Sequence, residues 1–151
     1  MSLFNAMNVS ASGLTAQRMR MDIISQNLAN VDTTRGPDGP FRRRAVVFQE
    51  ITPESSFSTI LRNRLGINRA NMPLSAGVRV HSIIEDDSPG PLVFDPSHPD
   101  ANADGYVERP NVNSIIEMVN MISAHRSYEA NITAMNTTRA MINRTLELAG
   151  R

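Results

Sequence analysis

The chain has 151 residues, 40% of them hydrophobic, and its 15 basic residues, all Arg, are balanced by 15 acids. A chain of this size buries one modest core, and a net charge of zero gives no electrostatic drive toward nucleic acid or an anionic membrane. Cysteine is absent, which excludes disulfides, thiol catalysis and thiolate metal sites. No run of ~18 apolar residues spans a bilayer, and the stretch from Met1 to Asp22 lacks the basic and then apolar order of a cleaved secretory signal.

All nine prolines fall between Pro37 and Pro110, so both ends are free to form long helices. In residues 1–31 a seven-residue repeat places Met7, Leu14, Met21 and Leu28 at one seam position, and Leu3, Ser10, Gln17, Ile24 and Val31 at the other. The first set is apolar and the second mixed, as in one partner of a coiled coil. Residues 32–110 hold the turn signals and three β-prone runs, Ala45–Phe48, Val78–Ile84 and Leu92–Phe94. Ser56–Met72 reads equally as a short helix or a loop. Along a strand through FRRRAVV, alternation sets Arg42 and Arg44 on one side and Arg43 on the other. Without an aromatic ladder, these arginines favour a protein-facing or solvated edge over a nucleic-acid contact. Charge is uneven here: Arg35 to Arg69 is rich in Arg and Ala70 to Pro110 in acids, so the insert is able to complement itself within one chain or between copies.

Residues 111–151 carry the second helix. Asn113 or Ser114 is its N-cap, and Ser114 to Glu117 fits a capping box in which Glu117 reaches back to the cap amide. Its repeat places Met121, Tyr128, Met135, Ile142 and Ala149 at one seam position and Met118, His125, Ile132, Arg139 and Leu146 at the neighbouring one. A helix of roughly 35 residues, about 50 Å, outruns any core this chain builds. It therefore pairs with the N-terminal helix, and any seam left over meets another molecule. The expected fold is mainly α with a small β insert: long N- and C-terminal helices paired as a coiled coil, with a middle segment of short strands and loops. The units are 1–31, 32–110 and 111–151.

Chemistry has few footholds. Asp100, Asn102, Asp104 and Gly105 begin like a calcium loop, at positions one, three, five and six. Position twelve is then Asn111, where a bidentate Glu is required, and Pro110 before it opposes an exiting helix. An Asx-rich turn ending in Gly105 explains the same residues, and a calcium-regulated binding module stands as the alternative. His81, His98 and His125 share no ligand spacing, and no Ser occupies a nucleophile elbow. The sequence predicts no catalytic residue, no cofactor and no metal.

Two runs carry a resemblance. SGLTAQRMRMDIISQNLANVDT, with N-L-A-N intact at Asn27, Leu28, Ala29 and Asn30, is followed by GPFRRRAVVFQE. It resembles the N-terminal signature of bacterial flagellar axial proteins, the rod, hook and hook-associated group. DPSHPDANADGYVERPNVNSIIEMVNMISAHRSYEANITAMNTTRAM is the more specific run and resembles the proximal rod branch of that group. The resemblance implies a structural, non-enzymatic subunit of the basal-body rod, the shaft that crosses the periplasm. Its terminal helices would form an inner domain around the export channel. The implied partners are copies of itself, other proximal and distal rod proteins, a rod-base adaptor and the flagellar type III export apparatus, which delivers such subunits without a cleaved signal. No nucleic acid and no direct membrane insertion are implied. Another axial rod protein of the group is the nearest alternative, and one departure is that the stretch between Gln49 and Ser75 is longer than the common pattern.

The assembly interface expected from periodicity and resemblance together comprises the seam residues Leu14, Met21, Ile24, Leu28, Met121, Tyr128, Ile132, Met135 and Ile142. To these are added the motif residues Asn27, Ala29 and Asn30, the basic strand residues Arg42, Arg43 and Arg44, and Arg126 and Asn131 of the C-terminal run. Near the helix end, Asn27 and Asn30 lie one turn apart, where Asn accepts left-handed geometry and bonds freed carbonyls while Ala29 permits close approach.

Overall fold

The computed structural model describes residues 3–36, 39–51, 61 and 77–150. Its elements in chain order are α1 (Leu3–Ala29), β1 (Arg44–Glu50), β2 (Val78–Glu85), β3 (Leu92–Phe94), β4 (Tyr106–Glu108) and α2 (Ser114–Ala149). Two long helices and two small antiparallel sheets thus make up the described chain. The helices run against each other in opposite directions: Asn27, near the end of α1, meets Glu117, near the start of α2, and Gly13 lies against Asn131. β1 pairs with β2 across a bulge between Val47 and Phe48, and the ribbon rests on α1. β3 and β4 form a separate pair.

The three expected β-runs form β1, β2 and β3. β4 was not foreseen, because three residues between Gly105 and Pro110 make no run of strand formers. Ser56–Met72 lies outside the described residues, Leu61 apart. β2 docks on the middle of α1 through Gly77, whose φ of 127° few other residues adopt, and where a Cβ would lie 2.2 Å from the Ser12 hydroxyl oxygen. That oxygen accepts the Val78 N–H at 3.1 Å.

α2 begins at Asn113, whose Oδ1 accepts the N–H groups of Ile115 (3.0 Å) and Ile116 (3.2 Å). With the cap there, Glu117 stands one residue past the position that closes a capping box, so the expected box does not form and the carboxylate turns inward. Along α2, Thr133, Thr137, Thr138 and Thr145 each donate to the carbonyl four residues back at 2.9–3.0 Å. This satisfies the hydroxyl of Thr138, which is buried in the seam. At the end of α1, Asn30 Nδ2 bonds the Gln26 carbonyl at 2.8 Å as expected, but not through left-handed backbone, which no non-glycine residue among those described adopts.

The seam is rotated from its expected position. Gly13, Ala16, Ile23, Ile24 and Asn27 are buried on α1, and Glu117, Ala124 and Thr138 on α2. Met121, Tyr128, Met135 and Ile142 are half-buried at one seam position, as expected, but Met118, His125, Ile132, Arg139 and Leu146 are all exposed. The set one residue earlier, Glu117, Ala124, Asn131 and Thr138, takes their place. Small residues explain the rotation: Gly13, Ala16 and Ala124 let the backbones approach, which a column containing Met118 and Ile132 prevents. On α1 the apolar set Met7, Leu14, Met21 and Leu28 flanks the seam half-buried, while Ile24, from the mixed set, lies within it.

Among the described residues, part of the uneven charge of the middle segment is paired within the chain. Arg35 pairs with Asp100, Arg42 with Asp87, Arg44 with Glu85, and Arg109 with Asp32.

Candidate functional site: a buried polar junction and an uncovered helix face

Where α1 ends, β1 begins and α2 begins, the side chain of Asn27 serves three partners. Its Oδ1 accepts the Arg44 N–H at 2.9 Å, and its Nδ2 donates to the Arg44 carbonyl at 2.8 Å and to Glu117 Oε2 at 2.9 Å. The amide thereby stands in for a neighbouring strand at the edge of β1. Glu117 Oε1 takes Arg43 Nε at 3.0 Å and Nη2 at 2.9 Å, with Asn120 Nδ2 at 3.2 Å. Asn27 and Glu117 are both 0% exposed, so these are the bonds that compensate a carboxylate removed from water. The Arg43 N–H donates to Asn111 Oδ1 at 2.7 Å, and Asn111 Nδ2 reaches the carbonyls of Asp86 (2.8 Å) and Ser88 (3.0 Å). The junction therefore joins both helices, β1 and the segment after β2.

Strand alternation holds as expected: Arg43 points to α2, while Arg42 and Arg44 turn to Asp87 and Glu85. The Arg44 guanidinium also lies 5.7 Å over the Phe41 ring. Of the residues expected at an assembly interface, Asn27, Arg43 and Ile24 are engaged inside the chain. Leu14, Met21, Leu28, Asn30, Met121, Tyr128, Asn131, Met135 and Ile142 are half-buried along the helix pair. Ala29, Arg42, Arg126 and Ile132 are exposed.

Sequence reasoning missed two exposed apolar surfaces. Ile115, Ile116, Val119 and Ile122 are exposed on α2, and β3–β4 presents Leu92 and Phe94, the latter edge-on to Tyr106 at 5.2 Å. The spacing of Ile115, Val119 and Ile122, at i, i+4 and i+7, is a helical stripe that would have revealed the first of these.

The calcium-like loop spends its side chains on the chain itself. Asn102 Oδ1 accepts the N–H groups of Asp104 (3.0 Å) and Tyr106 (2.9 Å), closing an Asx turn at Gly105 with φ 81°. Asp100 accepts the Thr34 hydroxyl at 2.8 Å and pairs with Arg35, and Asn111 belongs to the junction. The Thr34 hydrogen bond outweighs the opposing effect of burial and, aided by the Arg35 charge, holds the Asp100 carboxyl below the usual range. Among the described residues no group of three or more His, Asp or Glu is placed to hold a metal ion.

Residues 7–37 match the family model for flagella basal body rod protein, and residues 103–148 that for the C-terminal region of flagellar basal body rod FlgEFG protein. The chain is 51% identical over 154 residues to flagellar basal-body rod protein FlgC of Bacillus subtilis (strain 168), covering 98% of this chain and 99% of the relative. It is 44% identical over 158 residues to FlgC of Borreliella burgdorferi, covering 98% of each, and 41% identical over 149 residues to FlgC of Escherichia coli O157:H7, again covering 98% of each.

Proposed function

The chain belongs to the flagellar basal-body rod protein FlgC family, and on that premise we propose that it is a structural subunit of the proximal rod, without catalytic activity of its own. Residues 1–31 and 111–151 act as an inner domain whose helices pair in coiled-coil fashion around the export channel, and residues 32–110 form an outer layer. The subunit works in the rod where it crosses the periplasm. It reaches that place through the flagellar type III export apparatus, without a cleaved signal. Its partners are copies of itself, other proximal and distal rod proteins and the rod-base adaptor, all packing helix against helix.

The observation that carries this reading is the uncovered face of α2. Val119 is 62% exposed and Ile115 69% on a helix whose opposite side is already occupied by α1. A contiguous apolar stripe of this kind serves contact with another protein. Replacing the chromosomal copy with a Val119→Asp, Ile122→Asp variant should leave the subunit produced and folded but the cells non-motile, with no rods in electron micrographs of basal bodies. Normal motility with intact rods would overturn the assignment of this face.

A further inference from the structure

The buried residues between α1 and α2 are mostly small or polar, and small residues discriminate poorly between one stagger of two helices and the next. Two contacts do discriminate, one polar and one steric. One is the Asn27–Glu117 hydrogen bond, and the other is Asn131 lying over Gly13, where a Cβ would stand 2.9 Å from the Asn131 amide nitrogen. Fourteen residues separate Gly13 from Asn27, and the same number separate Glu117 from Asn131, so both contacts belong to one straight antiparallel alignment.

Arg20 stands seven residues before Asn27, on the same seam, and has no ion-pair partner among the described residues. It lines the cavity of about 330 Å³ that also admits Arg43, Glu117 and Asn120. Sliding α1 by one heptad, roughly 10 Å, would set Arg20 opposite Glu117 and Ala6 opposite Asn131. That arrangement satisfies the charge of the carboxylate but forfeits Asn27 and the Arg43 that β1 brings.

We infer that Asn27, Glu117 and Arg43 form a register key: the two helices hold their observed stagger because only there do α1 and β1 together satisfy the buried Glu117, and Arg20 marks the stagger they exclude. The three are positioning residues. Helix alignment is thereby made conditional on the β-ribbon, since Asn27 grips the backbone of Arg44 while Arg43, its neighbour, grips Glu117. Selection of register by a buried polar residue is the best-attested use of such groups in helix pairs.

The absence of cysteine makes the test direct, since any introduced pair reports without background. Asn131→Cys is combined with Gly13→Cys to report the observed stagger, or with Ala6→Cys to report the slipped one; shortening Asn131 also frees the space the new Cβ at position 13 needs. In the otherwise unaltered full-length protein, mild oxidation should link 13 to 131 and leave 6 and 131 unlinked. With Arg43→Met, the 13–131 yield should fall several-fold and the 6–131 product should appear. Adding Glu117→Gln, which removes the charge in need of a partner, should restore 13–131, and adding Arg20→Ala instead should abolish 6–131. Failure of the unaltered protein to form 13–131 overturns the proposal, as does persistence of the original pattern in both Arg43→Met and Asn27→Leu. If Arg43→Met loses its helical circular dichroism instead of shifting, recovery of helicity and of the 13–131 link with Glu117→Gln supports the key. Absence of recovery overturns it.

Discussion

The inner and outer faces of α2 invert the usual distribution of side chains. Toward α1 it turns Glu117, Ala124, Asn131 and Thr138; away from α1 it turns Ile115, Val119 and Ile122. The inner face combines the half-buried Met121, Tyr128, Met135 and Ile142 with a few satisfied polar groups of strict geometry. The outer face offers area with no partner among the described residues. Cohesion of the subunit and attachment to its neighbours therefore draw on different physics, and substitutions should separate them.

The largest effect is expected inside. In the observed stagger Arg43→Met leaves the Glu117 carboxylate buried without its cation, and the slipped stagger forfeits Asn27, so the substitution should cost about 3–5 kcal/mol of unfolding free energy, read from denaturant midpoints by circular dichroism. Loss below about 1 kcal/mol would mean that water already reaches the carboxylate. Leu28→Asp and Ile132→Asp sharpen the contrast. The first places a charge at a half-buried flank of the pair and should cost roughly 1–3 kcal/mol, whereas Ile132 is 37% exposed, so its variant should unfold within about 0.5 kcal/mol of the parent. Both should block rod assembly, the first through the subunit and the second through its outer contacts. A smaller gain should follow from Gln17→Met: Gln17 Oε1 is buried with no hydrogen-bond partner among the described residues, and removing it should stabilise the chain by about 1 kcal/mol.

The smallest effect concerns pH in the outer layer. Asp100 has a lowered pKa in the folded chain, so the stability it lends is present above the ordinary carboxylate pKa and is lost as pH falls through the folded value. Acidification below about pH 4 should therefore loosen the Thr34–Asp100 contact, seen as a change in the Asp100 side-chain carboxyl shift by NMR. Thr34→Val should move that titration upward. An unmoved titration would assign the shift to Arg35.

Much of the architecture was legible in the sequence because it rests on features with a clear period or a strong prohibition. Proline confined to the middle freed both ends for helix, and alternation along FRRRAVV placed Arg43 opposite Arg42 and Arg44. Among the described residues, Arg35, Arg42 and Arg44 of the Arg-rich stretch also find acids of the acid-rich one. The rotation of the seam was not legible. A hydrophobic repeat is blind to a Glu and an Asn that are buried because they bond each other, and it ranks Met118 and Ile132 above Ala124 although only the smaller residue allows the backbones to close. The capping box misled for a related reason: Asn113 and Ser114 are both competent caps, and the choice between them decides whether Glu117 faces the helix end or the junction.

The ion pairs of the middle segment have a mechanical consequence. Arg42–Asp87, Arg44–Glu85 and Arg109–Asp32 lie largely in solvent, where the screening length shortens as salt is added, from about 10 Å at about 0.1 M to about 3 Å at about 1 M, whereas Arg43–Glu117 is shielded from it. As ionic strength rises, the outer ribbons should yield in stiffness while the helices keep their grip on β1. The subunit then behaves as a rigid spindle wearing a compliant collar, and the compliance of that collar is set by the surrounding electrolyte.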